Sequence, residues 1–297
     1  MHEDSTRTPD GRELWWLDGG DPDGYPVIGL HGTPGCRLSR MTDDSVYASA
    51  GVRYVTTDRA GYGRSSRHRG GGVADEVADV LAVADALGVQ RFSVVGGSGG
   101  GPHALACAAK LGNRVERVAC QSSLAPLGID ELDREAWVAG MDPEIAAELD
   151  WAEAGEEVCE QRLAEAQELM AARLVDDPAS LLGTEATDGD VAFLSRPEVL
   201  EAFRRIVPEQ ARHGVGGAVD DTLAFARPWG FSLEDVAIPV LLTYGDADTS
   251  CPRAHGDFLA SRLRTATVVV TRGGGHFADD PRTEVTATHT WLRTGGS

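Results

Sequence analysis

Positive charge is scarce in this chain of 297 residues. Only 27 Lys and Arg side chains face 47 Asp and Glu side chains, and the formal net charge at pH 7 is −20. A protein of this charge repels the phosphates of nucleic acids and the headgroups of anionic membranes, so we expect neither as a partner. The charge is compatible with a small-molecule substrate but does not identify one.

Cysteine is also rare, and long apolar runs are missing. The five cysteines are odd in number, widely separated and form no C-x-x-C pair, which favours neither a disulfide framework nor a zinc site. No other ligand cluster is evident, so we expect no metal and no cofactor. No apolar stretch approaches the length of a membrane span. We expect a soluble protein of a reducing, cytoplasmic compartment; the sequence leaves open whether it is a monomer or a homodimer.

The most informative stretch is residues 92–111, FSVVGGSGGGPHALACAAKL. A short run of β-forming residues leads through five residues rich in glycine into an alanine-rich segment, which predicts a strand, a sharp turn and a helix. The turn fits G-x-S-x-G, in which a strained serine, here Ser98, is exposed as a nucleophile. The alternatives are a glycine-rich phosphate loop or a plain turn.

Short apolar runs and helical patterns alternate around this stretch. Residues 73–87 have apolar side chains at helical spacing and end at Gly88. This alternation predicts a parallel sheet covered on both faces, with ligands bound at the carboxyl ends of the strands. The predicted strands up to this point are residues 13–18, 27–30, 52–57, 92–95 and 115–120. The first two are expected to pair with each other.

The second of these strands ends in the loop His31-Gly32-Thr33-Pro34-Gly35. If the NH of Thr33 faces Ser98, it forms an oxyanion hole together with the NH of Gly99. The alternative is an ordinary tight turn with a cis Thr33–Pro34 bond. We expect His31 to be a hydrogen-bonded structural histidine. We expect Asp58 and Arg59, after the next strand, to pair with each other or to cap neighbouring elements.

Composition changes between residues 122 and 235, which hold 26 acidic residues against eight arginines. Residues 163–174 and 199–207 have helical periodicity, so we predict a helical cap over the active site, inserted into a core of residues 1–121 and 236–297. Most of its charges are expected to form a solvated face, while an acidic rim suits a substrate amine. Its aromatic residues are candidates for lining a pocket or for the core of the cap itself: Trp137, Trp151, Phe193, Phe203, Phe225 and Trp229.

The last third of the chain supplies two acids and a histidine. A strand at 238–244 is followed by Asp246 and Asp248, and a strand at 266–271 is followed by three glycines and His276. The chain order serine, acid, histidine is that of the α/β-hydrolase triad, with either aspartate as the acid.

With these residues in place, the chain resembles the α/β-hydrolase fold superfamily over roughly residues 12–292. The resemblance is to the capped branch with esterases, proline iminopeptidase-like enzymes and carbon–carbon bond hydrolases. It implies a mostly parallel, doubly wound α/β-hydrolase sheet with an inserted helical cap. The family pattern Gly-x-x-Asp-x-x-x-Pro matches Gly245, Asp248 and Pro252, which selects Asp248 as the acid and makes Asp246 a turn residue. His276 matches the family histidine, residues 31–35 match the oxyanion loop, and His255 is expected on an exposed helix face.

The resemblance also reduces the number of activities that we expect for this chain. Serine at position 98 disfavours haloalkane dehalogenases and epoxide hydrolases, which have aspartate there. Thr33 and Gly99 depart from the HGGPG loop and the tryptophan usual in proline iminopeptidases, and methionine, frequent after the serine in cofactor-free haloperoxidases, is absent. We expect a serine hydrolase that cleaves a small carboxylic ester, thioester or lactone through an acyl-enzyme. Three alternatives remain: a non-hydrolytic or carbon–carbon bond enzyme of specialised metabolism, a proline iminopeptidase-like peptidase, and a ligand-binding receptor.

Overall fold

The computed structural model describes residues 1–129, 132–182 and 185–296. In these residues eight strands form one sheet in the order β1-β2-β4-β3-β5-β6-β7-β8. The β1/β2 and β2/β4 pairs are antiparallel, and every other neighbouring pair is parallel. The strands are β1 (His2–Arg7), β2 (Glu13–Gly20), β3 (Tyr25–Leu30), β4 (Val52–Thr57), β5 (Phe92–Gly97), β6 (Val115–Gln121), β7 (Val240–Gly245) and β8 (Ala266–Thr271).

Helices cover both faces of the sheet, which confirms the predicted doubly wound α/β architecture. The helices are α1 (Ser45–Ser49), α2 (Glu76–Ala86), α3 (Gly100–Lys110), α4 (Arg134–Val138), α5 (Pro143–Ala154), α6 (Glu156–Asp176), α7 (Asp188–Leu194), α8 (Pro197–Gln210), α9 (Gly216–Phe225), α10 (Arg253–Arg262) and α11 (Pro281–Thr294). None of the described helices is long and apolar enough to cross a lipid bilayer.

Two apolar cores lie on opposite faces of the sheet. The larger core packs side chains of α2, α3 and α10 against the strands, including Val80, Leu105 and Leu259. The smaller core packs α1 and α11 against the other face, including Tyr47 and Leu292. Because β3 and β7 lie between parallel neighbours with a core on each face, most of their residues are apolar.

The predicted pairing of residues 13–18 with residues 27–30 is wrong. β2 instead pairs with β4, with Trp16 opposite Thr57, while β3 lies between β4 and β5. β3 is a central strand that is buried from Val27 to Leu30 and has parallel neighbours at both edges. The turn-rich segment between β2 and β3 therefore carries the chain across β4 and does not close a hairpin. The polar strand β1, at the edge of the sheet, has no counterpart among the sequence predictions.

Register brings the functional loops to one edge of the sheet. Leu30 is paired with Gly96, and Gly96 with Cys120. The loops that follow β3, β5 and β6 therefore begin at the same level. The α-helices described between β6 and β7, α4 to α9, belong to the acidic segment, and its described residues contain no strand beyond two isolated bridges.

Candidate active site

Ser98 stands on a sharp turn between β5 and α3. Its φ of 52° lies in the left-handed region, which only two non-glycine residues of the described chain adopt. A side chain at Gly96 would collide with the backbone of Gly100, and one at Gly100 would collide with the carbonyl oxygen of Leu30. The glycines therefore allow strand and helix to meet closely, and the strained serine is held at the strand end.

His276 and Asp248 form a hydrogen-bonded pair. Nδ1 of His276 lies 2.9 Å from Oδ2 of Asp248. The other carboxylate oxygen accepts the NH groups of Ser250 at 2.8 Å and Cys251 at 2.9 Å. Since a carboxylate only accepts, Nδ1 carries the proton and Nε2 of the neutral ring is free to act as a base.

Burial opposes charge on both members of this pair, and their mutual attraction outweighs it. Burial by itself lowers the pKa of His276, but the charge and hydrogen bond of Asp248 raise it above its ordinary value. Burial likewise raises the pKa of Asp248, yet the histidine and the two backbone NH groups bring it below its ordinary value. The pair therefore favours a charged carboxylate beside an imidazole that takes up a proton more readily than a free one.

Ser98 and His276 line the same cavity, but no hydrogen bond joins them in the described structure. The contact of Ser98 Oγ is with Sγ of Cys251, at 4.0 Å. Catalytic hydrogen bonds in unliganded enzymes are often long and tighten on substrate binding. Cys251 was not singled out in the sequence, where nothing distinguishes it from the other four cysteines.

Two backbone NH groups adjoin the serine. A Cβ built on Gly99 would lie 3.1 Å from the backbone nitrogen of Thr33, and one built on Gly32 would lie 3.8 Å from Ser98 Oγ. In the described part of the chain, neither the NH of Thr33 nor that of Gly99 donates to another residue. Both predicted oxyanion donors thus lie beside Ser98. The Thr33–Pro34 peptide bond is cis.

The structure also shows the contacts of His31, Asp58 and Arg59. His31 is buried, its Nε2 accepting the NH of Arg59 at 3.1 Å, as a structural histidine does. Asp58 binds Arg37 and Arg59 binds Asp221, so these two residues do not pair with each other. Asp58 follows the other expectation, since its carboxylate accepts the backbone NH groups of Arg37 and Arg64 in the neighbouring loops.

The structure agrees with the sequence prediction for Asp246 and differs from the one for His255. Asp246 accepts the NH of Gly273 at 2.6 Å and is a turn residue. The expectation that His255 is exposed is wrong. It is fully buried, with Nδ1 accepting the NH of Ala125 at 3.0 Å and Nε2 2.8 Å from the carbonyl oxygen of Trp137, because the chain after β6 folds over this face of α10.

The alpha/beta hydrolase fold family is matched by residues 25–279 of the sequence. The chain belongs to this family. Its members include hydrolases, so the prediction of an enzyme of the α/β-hydrolase type is confirmed, as is the predicted fold.

Relatives of this α/β hydrolase differ in activity. A proline iminopeptidase of Xylella fastidiosa is 29% identical over 303 residues, covering 92% of this chain and 90% of the relative. An esterase from Thermogutta terrifontis superposes over the whole of both chains with a TM-score of 0.71 at 21% identity. An enol-lactonase from Burkholderia xenovorans gives 0.68 at 20% identity over 96% of this chain and 97% of its own. At such identity the two structures establish the fold alone.

The cavity of this α/β hydrolase has a volume of about 1400 Å³. Ser98, His276 and Thr33 line one side, and helices α5, α6 and α8 face them with side chains such as Trp151 and Phe203. Of the predicted aromatic candidates, Trp137, Trp151, Phe193, Phe203 and Phe225 line it. Trp229 does not: it packs in the larger core beside Phe231, since the loop after α9 turns away from the cavity.

Titratable groups also line this cavity. Burial, together with the charge of Asp221, raises the pKa of Glu148 to about 7.

Within residues 1–129, 132–182 and 185–296, no group of three or more His, Cys, Asp or Glu side chains is arranged to hold a metal ion.

Proposed function

We propose that this α/β hydrolase cleaves a small carboxylic ester, thioester or lactone through an acyl-enzyme on Ser98. The observation that carries the proposal is the position of strained Ser98 in one cavity with His276, whose ring Asp248 holds, and with Thr33 and Gly99, whose NH groups donate to no other residue in the described part of the chain. Nucleophile, base, orienting acid and oxyanion donors are the set that acyl transfer needs.

The reaction runs in two matched halves. Nε2 of His276 takes the proton of Ser98 as Oγ bonds to the carbonyl carbon, and the carbonyl electron pair moves onto oxygen, where the NH groups of Thr33 and Gly99 stabilise it. Collapse breaks the bond to the leaving oxygen or sulfur, which takes the proton from His276. Water then repeats these steps on the acyl-enzyme and releases the acid and free Ser98. Asp248 fixes the ring tautomer and stabilises its cation throughout.

The helices α4 to α9 act as a cap in this proposal. They face Ser98 across a cavity that admits a small molecule, so side chains on α5, α6 and α8 select the substrate. Location in a reducing, cytoplasmic compartment is part of the same proposal, supported by five cysteines that are all free.

A second candidate function is that of an amino-terminal peptidase. It is supported by the proline iminopeptidase of similar length and by the acidic side chains Glu144, Glu148 and Glu198 on the cavity wall. The two candidates share the triad and differ in the substrate, since a peptidase needs a free amine beside the scissile bond.

Steady-state assays with Ser98→Ala separate these functions. p-Nitrophenyl acetate and butyrate are offered beside prolyl-p-nitroanilide, with exposed Ser49→Ala as the matched control. We expect ester cleavage that falls by about four to six orders of magnitude in Ser98→Ala and is unchanged in Ser49→Ala. Faster cleavage of the prolyl anilide would favour the peptidase, and ester cleavage independent of Ser98 would contradict both.

A further inference from the structure

A carboxylate on helix α9 holds the loop that carries Thr33. Oδ2 of Asp221 accepts the hydroxyl of Thr33 and the hydroxyl of Tyr62, both at 2.6 Å, and Oδ1 accepts Nη1 of Arg59 at 2.6 Å. Asp221 is only 7% exposed. These are short hydrogen bonds to a buried, charged carboxylate, a class that is stronger than hydrogen bonds between neutral groups.

Arg59 binds the same loop through its guanidinium group. Its Nε donates to the carbonyl oxygen of His31 and its Nη2 to that of Gly32, each at 3.2 Å, and Nη2 also donates to Oγ1 of Thr33 at 3.0 Å. Its side chain is 2% exposed. The backbone and side chain of residues 31–33 are therefore fixed by one ion pair, and with them the direction of the Thr33 NH.

A second carboxylate, on helix α7, holds the loop that carries the histidine. Oδ2 of Asp190 accepts the NH of His276 at 3.2 Å, and Oδ1 accepts the NH of Phe277 at 2.8 Å. The ring of Phe193, also on α7, stacks on Phe277 with centroids 4.4 Å apart. Asp190 is 2% exposed and is further held by the hydroxyl of Thr187 at 2.8 Å.

We propose that Asp190 and Asp221 are positioning residues through which helices α7 and α9 assemble the catalytic centre, Asp221 by orienting the NH of Thr33 and Asp190 by orienting His276. This inference rests on the proposed acyl-transfer function. Neither carboxylate lines the cavity that would hold the substrate, so each acts through another residue. The helical segment is then part of the catalytic machinery as well as a cover, and its displacement would disassemble the oxyanion hole and shift the base.

Asp221→Asn and Thr33→Val test the first contact, with Asp220→Asn as the matched control. Asp220 is a buried neighbour on the same helix, but it binds Arg67 and the NH of Gly70. The readout is the rate constant for phosphonylation of Ser98 by a fluorophosphonate, which uses the oxyanion hole and needs no natural substrate. We expect a loss of about 10- to 100-fold in both test variants, less than the loss of a whole donor. We expect rescue in Thr33→Ser, which keeps the hydroxyl, and no loss in Asp220→Asn.

The double variant Asp221→Asn/Thr33→Val makes this test specific. Since both changes break one hydrogen bond, we expect the double variant to react no slower than the slower single variant. Thr33→Val keeps the shape of the side chain, so it reports on the contact even where Asp221→Asn folds poorly. Full reactivity in Thr33→Val, or equal losses in Asp220→Asn and Asp221→Asn, would overturn the role of Asp221.

Asp190→Asn tests the second contact, with exposed Asp188→Asn in the same helical turn as the control. We expect the rate constant for phosphonylation to reach a lower plateau and the ascending limb of its pH profile to move to lower pH. The reason is that the histidine is displaced from Asp248 and loses the nearby charge of Asp190. Thr187→Val should give a smaller change in the same direction. An unmoved limb and unchanged plateau in Asp190→Asn would overturn the role of Asp190.

Hydrogen–deuterium exchange separates this inference from the proposed function. If the wild type is not phosphonylated at Ser98, the proposed function fails while the positioning contacts still make a prediction. Deuterium uptake in residues 31–35 must rise in Asp221→Asn and not in Asp220→Asn, and uptake in residues 274–279 must rise in Asp190→Asn and not in Asp188→Asn. Equal uptake in each pair would overturn the positioning roles whatever the activity.

Discussion

Nδ1 of His276 lies 2.9 Å from Oδ2 of Asp248, whose other oxygen accepts two backbone NH groups. These hydrogen bonds fix the carboxylate, which in turn holds the imidazole in one orientation. The same contact raises the pKa of His276 despite burial.

Activity is predicted to depend on pH through this histidine. A base must be neutral, so the rate is low where His276 is protonated and rises with pH through a pKa above its ordinary value of 6.5. In Asp248→Asn the cation loses its partner, and the ascending limb should move to lower pH while the plateau falls by about two to four orders of magnitude. pH profiles of kcat/KM check this, with Asp246→Asn as the control. A limb that stays in place in Asp248→Asn would contradict the pairing.

The glycines of the turn are predicted to differ in their tolerance of a side chain. At Gly96 a Cβ would collide with the backbone of Gly100, whereas at Gly97 the nearest atom is the carbonyl oxygen of Gln121 at 4.0 Å. Gly96→Ala should therefore lower the melting temperature by at least about 5 °C relative to Gly97→Ala. Differential scanning calorimetry of the two variants checks this. Equal melting temperatures would mean that strand and helix are not in close contact at the turn.

Glu148 is predicted to weaken the folded state at alkaline pH. Its folded pKa of about 7 lies above its ordinary value of 4.5, so the folded protein holds a proton there that the unfolded chain has lost. The stability linked to that proton is present below pH 4.5 and is lost as pH rises through 7.

The change Glu148→Gln keeps the neutral form at every pH. The variant should match the wild type at pH 4.5 and melt about 2 °C higher at pH 8. Glu144→Gln is the control, and its effect on the melting temperature should have the opposite sign. The hydrogen bond of Glu144 to Arg173 lowers the pKa of Glu144 and favours the charged form. An increase in melting temperature for Glu148→Gln at pH 4.5 and not at pH 8 would contradict the assignment.

Modification of Cys251 is predicted to block the nucleophile. Its Sγ lies 4.0 Å from Ser98 Oγ and lines the cavity. Methyl methanethiosulfonate should abolish phosphonylation of the wild type and of Cys159→Ala, but not of Cys251→Ala. Burial and the charge of Asp248 raise the pKa of the Cys251 thiol well above its ordinary value, so modification should be slow at neutral pH and accelerate as pH rises. Equal sensitivity in Cys251→Ala would place the reactive thiol elsewhere.

Local patterns in the sequence predicted those parts of the fold that depend on neighbours along the chain. The turn at Ser98 depends on glycines within two residues of it, and each predicted catalytic residue lies in the loop that follows a strand. Strand order is not local: β3 joins the sheet between β4 and β5, and nothing in residues 13–30 shows that β4 will lie between β2 and β3. The predicted pairing failed for this reason.

The positioning residues could not be found from the sequence for a related reason. Asp190 and Asp221 lie among 26 acidic residues, most of which are expected on a solvated face. What distinguishes them is the partner, since Asp221 meets Arg59 and Asp190 meets the backbone of His276, each far away in the chain. His255 was misplaced likewise, because its burial depends on the segment after β6. The division into a core and a cap at residues 122 and 235 stays a prediction.

The most direct test of the acyl-enzyme mechanism is the intact mass of the protein during the first turnovers of p-nitrophenyl acetate. The mechanism predicts a burst of p-nitrophenol together with a transient gain of one acetyl group, which peptide mapping places on Ser98. Ser98→Ala should show neither the burst nor the adduct, while Ser49→Ala should show both. An acetyl group on another residue, or a Ser98-dependent burst in which rapid quenching traps no adduct, would contradict the acyl-enzyme.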